Sequence, residues 1–177
     1  MSTLHMPVSA DDHVAGNPKA PIVLVEYGDY QCPACGAAYP LVQQIQQKFG
    51  DDVCLVFRNF PLVDMHPQAQ SAAVVAEFAA KHGKFWEAHD ALYENQRSLG
   101  ESFYVELVNS LGLSSDDLKQ AMQTDAFEQR IRRDIDSGLR SGVNGTPTFY
   151  VNGERFDTPG GFNDLPQVLE EMLRPTR

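Results

Sequence analysis

The sequence predicts an α/β fold: a central mixed sheet flanked by helices, with a helical subdomain inserted into it. Three observations carry that expectation. Ile22–Tyr27 and Val53–Phe57 are near-continuous apolar runs, the pattern of strands covered on both faces. Between them, Cys32-Pro33-Ala34-Cys35 opens a stretch with helical periodicity. Helical spacing then persists from about His66 to Gly142, ahead of the next apolar run at Thr148–Val151. A chain of 177 residues with 42% hydrophobic content can bury one sizeable core. A single domain over 1–177 is expected, its core over about 12–65 and 143–177 and its insertion over about 66–142.

The elements follow in order. The first strand spans Pro21–Tyr27, and Gly28 to Gln31 connect it to a helix carrying Ala37, Ala38, Leu41, Val42, Ile45 and Phe49. Pro33 suits the first helical position, where a missing N–H costs nothing, which puts Cys32 at the N-cap. Pro40 lies inside that helix and predicts a kink. In the second strand Cys54 reads as a buried core thiol. The insertion opens with Ala72, Val75, Ala76 and Ala79 on one stripe and ends at Gly83. Phe85, Trp86, His89, Leu92 and Tyr93 share a face of the next helix, where His89 reads as a core histidine, and His66 before Pro67 reads as a cap. A third helix is expected over about Ser102 to Leu111. Ser114 with Asp117 resembles a capping box, and a last helix carries Phe127, Ile131, Ile135 and Leu139 at spacing four, with Arg130, Arg132 and Arg133 on a solvated face. Beyond the Asn152-Gly153 turn come a short strand over Glu154–Asp157 and a closing helix over Asn163–Leu173. The sheet should hold four or five strands.

Two thiols three residues apart at a helix start form a dithiol/disulfide switch. The first-turn amides and the positive end of the helix dipole favour a thiolate at Cys32, so its pKa should fall well below the free value of about 8.5. Cys35, one turn on, can attack a mixed disulfide formed at Cys32 and release the product. The same spacing serves half of a zinc site or a static disulfide. A structural zinc needs four ligands, however, and the chain has neither a second Cys-x-x-Cys nor a matching histidine pair, so no metal is expected. Thr146-Pro147, at the entrance of the Thr148–Val151 strand, is a candidate cis bond or an ordinary trans proline opening an edge strand. Glu26 shares a strand face with Ile22 and Leu24. A carboxyl group there has a raised pKa and can exchange a proton with Cys35, unless it lies at a strand end open to water.

These residues, taken in order, resemble the DsbA family of thioredoxin-fold thiol-disulfide oxidoreductases. The resemblance covers nearly everything from Asp12 onward. Its pieces are Val25-Glu26-Tyr27-Gly28-Asp29-Tyr30-Gln31 leading into Cys32-Pro33-Ala34-Cys35, then Val56-Phe57-Arg58-Asn59-Phe60-Pro61-Leu62, the alanine-rich helix after His66-Pro67, and Gly145-Thr146-Pro147-Thr148-Phe149. It implies a thioredoxin fold with a helical insertion, a cis Thr146-Pro147 bond packed against the dithiol, a Thr146 backbone open to an extended substrate peptide, and an acidic residue, Glu26, beneath the thiols. The implied activity is disulfide exchange with cysteine-containing proteins or peptides. A redox partner protein or glutathione would recharge the site, with no cofactor beyond the Cys32–Cys35 disulfide. Ala34 stands where the strongest oxidants of the family carry histidine, so a weaker oxidant is expected. A glutathione-dependent transferase or isomerase of the same fold, or a redox-inert peptide-binding module, is the alternative.

Fourteen basic against 24 acidic residues give a formal charge of −10, which argues against a nucleic-acid surface. No apolar run reaches the 18 or so residues that span a bilayer, and Met1 to Pro7 lacks the pattern of an export signal, so no membrane partner is expected. As the chain stands, with an odd third cysteine, the expected location is cytoplasmic, or periplasmic if a signal peptide has been removed.

Overall fold

The structure, a computed structural model, describes residues 2–175; Met1, Thr176 and Arg177, the ends of the domain expected over 1–177, lie outside the described residues. The elements run β1 (His13–Ala15), β2 (Ile22–Gly28), α1 (Pro33–Phe49) and β3 (Val53–Asn59). Then come α2 (Ala69–Lys81), α3 (Phe85–Glu94), α4 (Glu101–Ser110), α5 (Ser115–Gln123) and α6 (Glu128–Arg140), and finally β4 (Thr148–Val151), β5 (Glu154–Arg155) and α7 (Leu165–Leu173). Among the described residues the strands form one mixed sheet of order β1-β3-β2-β4-β5, parallel only between β2 and β3. Parallel neighbours need a crossover, which α1 supplies. Five helices, α2 to α6, sit between β3 and β4 in the chain, where the insertion was expected.

Burial follows from the strand period of two. Ile22 and Leu24 of β2, Val53 and Leu55 of β3, and Phe149 and Val151 of β4 pack under Ala38, Val42 and Ile45 of α1 and Leu165 and Leu169 of α7. On the opposite face Val25, Tyr27, Val56 and Tyr150 meet Phe60 and Val143, with Ile135 of α6 against them. A third cluster belongs to the insertion, with α2 to α5 packed around Phe57, Tyr30, Tyr39 and both Cys32 and Cys35. The helix α1 runs unbroken through Pro40. Ser114 caps α5 by accepting from the Asp117 amide at 3.2 Å.

Two sequence expectations change. The spacing-four stripe on α6 drifts by about 40° per step on a helix of 3.6 residues per turn, so Ile131 is buried while Leu139 is 59% exposed. The buried face is instead Ile131, Asp134, Ser137 and Gly138. Arg130 leaves the solvated face: its guanidinium pairs with Asp134 and lies 3.7 Å from the buried Glu77 carboxylate. Asp134 also accepts from the Asn59 amide at 2.9 Å, and Glu77 joins the Asn59 side chain and His13.

Arg58 of β3 is 1% exposed. Its Nε and an NH2 group fork onto both oxygens of Asp12, at 2.9 and 3.0 Å, and another nitrogen donates to the Tyr27 hydroxyl at 2.9 Å. Tyr27 in turn meets Ser137 of α6 at 2.7 Å. Burial works against charge on both partners, yet the Arg58 hydrogen bonds hold the Asp12 carboxyl below its ordinary range and the Asp12 bonds raise the Arg58 pKa. The N-terminal segment also closes the far sheet edge, with Thr3 bridging Glu154 and Leu4 donating to the Gly153 carbonyl at 2.8 Å.

Candidate functional site

The turn from β2 into α1 places Cys32 at the helix N-cap with extended backbone, and Pro33 opens the helix. Both thiols are unbonded. Cys32 is 6% exposed and Cys35 fully buried. The amides of Ala34 and Cys35 are aimed at the Cys32 sulfur, as the N-terminus of a helix requires. A hydrogen bond from the Cys35 thiol is the main influence that pulls the Cys32 pKa down to about 5, against burial and with help from Thr146 and those amides. Cys35 moves the other way: burial, the hydrogen bond it gives Cys32 and the nearby Glu26 all raise its pKa. The two sulfurs are thus unequal at neutral pH, one a thiolate at the helix N-terminus and the other a fully buried thiol.

Thr146 and Pro147 arrive from the loop before β4. Their peptide bond is cis. The Thr146 carbonyl lies 3.5 Å from the Cys32 sulfur and accepts from it when it is a thiol. Once the proton is gone a carbonyl can no longer serve. The Thr146 hydroxyl is buried without a partner among the described residues, and Thr146 is one of the influences that lower the Cys32 pKa. Neither backbone group of Thr146 joins a backbone hydrogen bond among the described residues.

Glu26, at register with Phe57 and Phe149 in the middle of the sheet, is 3% exposed. Burial, then the negative sulfur of Cys32, push its pKa up to about 8. The exposed strand-end alternative does not apply. Close by, the Tyr93 hydroxyl is buried without a partner among the described residues.

Residues distant in sequence hold the dithiol turn. Asp29 accepts from the Gln31 amide at 2.8 Å, the Leu62 amide at 2.9 Å and His66 Nδ1 at 2.7 Å, so it ties the dithiol turn to the loop after β3. His66 is therefore a partner of Asp29; the first amides of α2 follow Gln68, which donates its own N–H to Gln31. Gln96, between α3 and α4, donates to the carbonyls of Tyr30 and Cys32 at 2.9 and 2.7 Å. A β-carbon on Gly36 would collide with that Gln96 amide, which explains a glycine directly after Cys35. Tyr30 bonds His89 Nδ1 at 2.9 Å, and burial drives the His89 pKa down to about 3, so this is a neutral core imidazole. Cys54 is 1% exposed on β3, outside this arrangement. Among the described residues no group of histidine, cysteine and carboxylate side chains could hold a metal ion, and no helix is long and apolar enough to cross a membrane.

Known proteins resemble the chain along almost its whole length. A curated relative, the Na(+)/H(+) antiporter NhaA 3 of Salinispora tropica, is 41% identical over 175 residues, a match that takes in 98% of this chain and 27% of the relative. The chain therefore spans about a quarter of the length of that protein. Oxidised BdbD from Bacillus subtilis superposes with a TM-score of 0.85 at 25% identity, covering 98% of this chain and 99% of that one. A thioredoxin-like oxidoreductase from Silicibacter pomeroyi superposes with a TM-score of 0.75 at 26% identity, covering 92% and 94%. The family model described as Thioredoxin matches residues 9–171, and with so little of the chain outside that match, the protein belongs to the thioredoxin family in its DsbA-like form.

Proposed function

We propose that the protein is a thiol-disulfide oxidoreductase that exchanges disulfides with cysteine-containing proteins or peptides through Cys32 and Cys35. The observation that carries this reading is the opposed shift of the two thiols, with Cys32 pulled down to about 5 and Cys35 raised. A static disulfide or a peptide-holding module has no use for that asymmetry. In the reducing sense, Cys32 attacks a substrate disulfide and a substrate thiolate leaves. Cys35 then gives its proton to Glu26 and attacks the Cys32 sulfur, forming the Cys32–Cys35 bond and expelling the second substrate sulfur as a thiolate. The oxidising sense runs the same steps backward, with Glu26 returning the proton to Cys35. The sulfurs themselves carry the electrons, so the chemistry needs no bound cofactor. An extended substrate would pair with the Thr146 backbone beside Pro147. The exposed Val63 and Met65, on the loop that Asp29 tethers, offer it an apolar margin. A redox protein or glutathione would recharge the site.

The direct test is equilibration with glutathione buffers followed by assay on a dithiol peptide. A Cys32–Cys35 pair that neither exchanges with glutathione nor changes the peptide's redox state would overturn the proposal. The acid has its own test. Glu26→Gln is expected to slow the Cys35 step about 10²-fold, the lower end of general acid–base catalysis, while Cys32 alkylation keeps its rate; equal rates in both half-reactions would remove Glu26 from the chemistry.

Thiolate stabilisation also links redox state to folding. The Cys32 pKa is about 5 folded and about 8.5 unfolded. A depressed pKa stabilises the folded reduced protein fully above the unfolded value and loses that effect as pH falls through the folded one. Cys35, with its raised pKa, opposes this only where the unfolded thiol would ionise, above about pH 8.5. Glu26 owes its shift first to burial between the strands and only then to the Cys32 charge, so it largely cancels from the comparison. The disulfide's own loop is short and constrains the unfolded chain least. Reduced protein should therefore melt above oxidised protein by the widest margin near pH 8 to 8.5, the gap closing towards pH 5. Melts showing the oxidised form more stable throughout would refute a stabilised Cys32 thiolate.

A further inference from the structure

Beneath the dithiol, between α1, α3 and the sheet, lies a cavity of about 100 Å³ lined by Glu26, Tyr39, Gln43, Gln46, His89 and Asp90, with apolar walls from neighbouring strands and Trp86. Its inner wall is buried at Glu26, Tyr39, Leu55 and His89, while Gln43, Gln46, Trp86 and Asp90 at its other end are half-exposed. At about 30 Å³ of liquid volume per water, and with several polar groups in its walls, it has room and partners for a few waters. The shape matters because Glu26 is otherwise sealed. Neither a hydrogen bond nor an ion pair from the chain is among the influences on its carboxyl group, yet each passage through the proposed chemistry loads or unloads one proton there.

We propose that Asp90, at the outer end of this cavity, passes the proton that Glu26 exchanges with Cys35 between the cavity waters and bulk solvent. This rests on the proposed role of Glu26. In the Cys35 step, the Cys35 S–H bond breaks and its proton goes to the Glu26 carboxylate. The Cys35 electron pair forms the bond to Cys32, and the substrate sulfur leaves with the pair of the broken mixed disulfide. Glu26 then gives the proton to a cavity water, that water gives one to the Asp90 carboxylate, and Asp90 releases it to solvent.

The other polar groups around the cavity are poor carriers. Tyr39 donates its hydroxyl proton to Glu94 at 3.1 Å, and burial raises its pKa further. Gln43 donates to Tyr39, and like Gln46 is an amide. Trp86 Nε1 is committed to the Val14 carbonyl at 3.2 Å. His89 gives Nδ1 to Tyr30 and, buried and faced by His13 of β1, resists a second proton. Asp90 is the carboxylate that remains. Its pKa is raised, first by burial and then by Glu94 and Glu87 on its own helix, with the Tyr39 hydroxyl of α1 working in the opposite sense. That brings it closer to Glu26, as successive carriers of one proton require.

The test follows a mixed disulfide preformed on Cys32 of the full chain and times its release by Cys35 at fixed pH, in wild type, Glu26→Gln, Asp90→Asn and Asp90→Glu. Asp90→Asn should release about tenfold more slowly, less than the loss of a direct acid or base because water still reaches the cavity. Asp90→Glu should restore the rate, added imidazole buffer should speed Asp90→Asn but not wild type, and Cys32 alkylation should stay constant throughout. A slowed Glu26→Gln beside an unaffected Asp90→Asn would overturn the role of Asp90 and leave that of Glu26 standing. An unaffected Glu26→Gln would remove both. A loss in Asp90→Asn that neither glutamate nor imidazole recovers would make Asp90 structural and overturn the proposal.

Discussion

Cys32→Ser is expected to abolish disulfide exchange, whereas Cys35→Ser should accumulate protein caught in mixed disulfides with its substrate. The asymmetry follows from position. Cys32, at 6% exposed the less buried of the two thiols, has the first amides of α1 aimed at its sulfur, and its pKa of about 5 keeps it ionised at neutral pH. Cys35 is fully buried, with a raised pKa, and can act only once Cys32 has brought a disulfide to it. Serine at 32 leaves no nucleophile. Serine at 35 leaves the first attack intact and removes the second, so the adduct persists. Non-reducing electrophoresis after incubation with a disulfide-bonded substrate separates the cases, and equal trapping by both variants would reverse or erase the order of attack. Cys54→Ser is the control, since that thiol lies in the sheet away from the site and its loss should leave turnover unchanged.

The second large effect is on stability. Arg58→Ala should destabilise the fold by about 3 to 5 kcal/mol, the range for removing one partner of a buried ion pair. The change strands the Asp12 carboxylate, whose side chain is 8% exposed, and takes a donor from the Tyr27 hydroxyl. Arg58 also fastens the segment before β1 to the middle of the sheet and, through Tyr27 and Ser137, to α6. Loss of the guanidinium should therefore loosen the insertion as well as the N-terminal segment. A double variant, Arg58→Met with Asp12→Leu, should regain most of the loss, because it removes both charges instead of orphaning one. Denaturant unfolding measures each, and a single Arg58→Ala loss under about 1 kcal/mol would show that the pair carries little of the fold's stability.

The parts of this architecture visible in the sequence are those whose cause is local. Ile22–Tyr27 and Val53–Phe57 declare themselves because strands covered on both faces must be apolar nearly throughout. Cys32, Pro33 and Cys35 identify a helix start by three residue types at fixed spacing. Glu26 stands out as a lone acid in such a strand, and its raised pKa follows from that burial. What stays hidden depends on partners far along the chain. β1 is three residues, His13–Ala15, with no periodicity of its own, and exists because Leu55 to Phe57 offer it an edge. Arg130 looks like one charge among several on α6 until folding sets it beside Glu77, 53 positions back in the numbering. Asp29 and Gln96 show nothing unusual locally. Their hold on the dithiol turn appears only when His66 and Leu62, or Tyr30 and Cys32, come within hydrogen-bonding distance.

The dithiol sits in the apolar cluster of the inserted helices, while Cys54 lies on a central strand of the sheet. Each of Cys35 and Cys54 is hidden from any alkylating reagent until its own surroundings open, and local openings of different regions have their own free energies. The chain thus holds two internal clocks. Modification of Cys35 counts excursions of the helical half, modification of Cys54 counts excursions of the sheet, and the ratio of the two rates measures how independently the halves breathe.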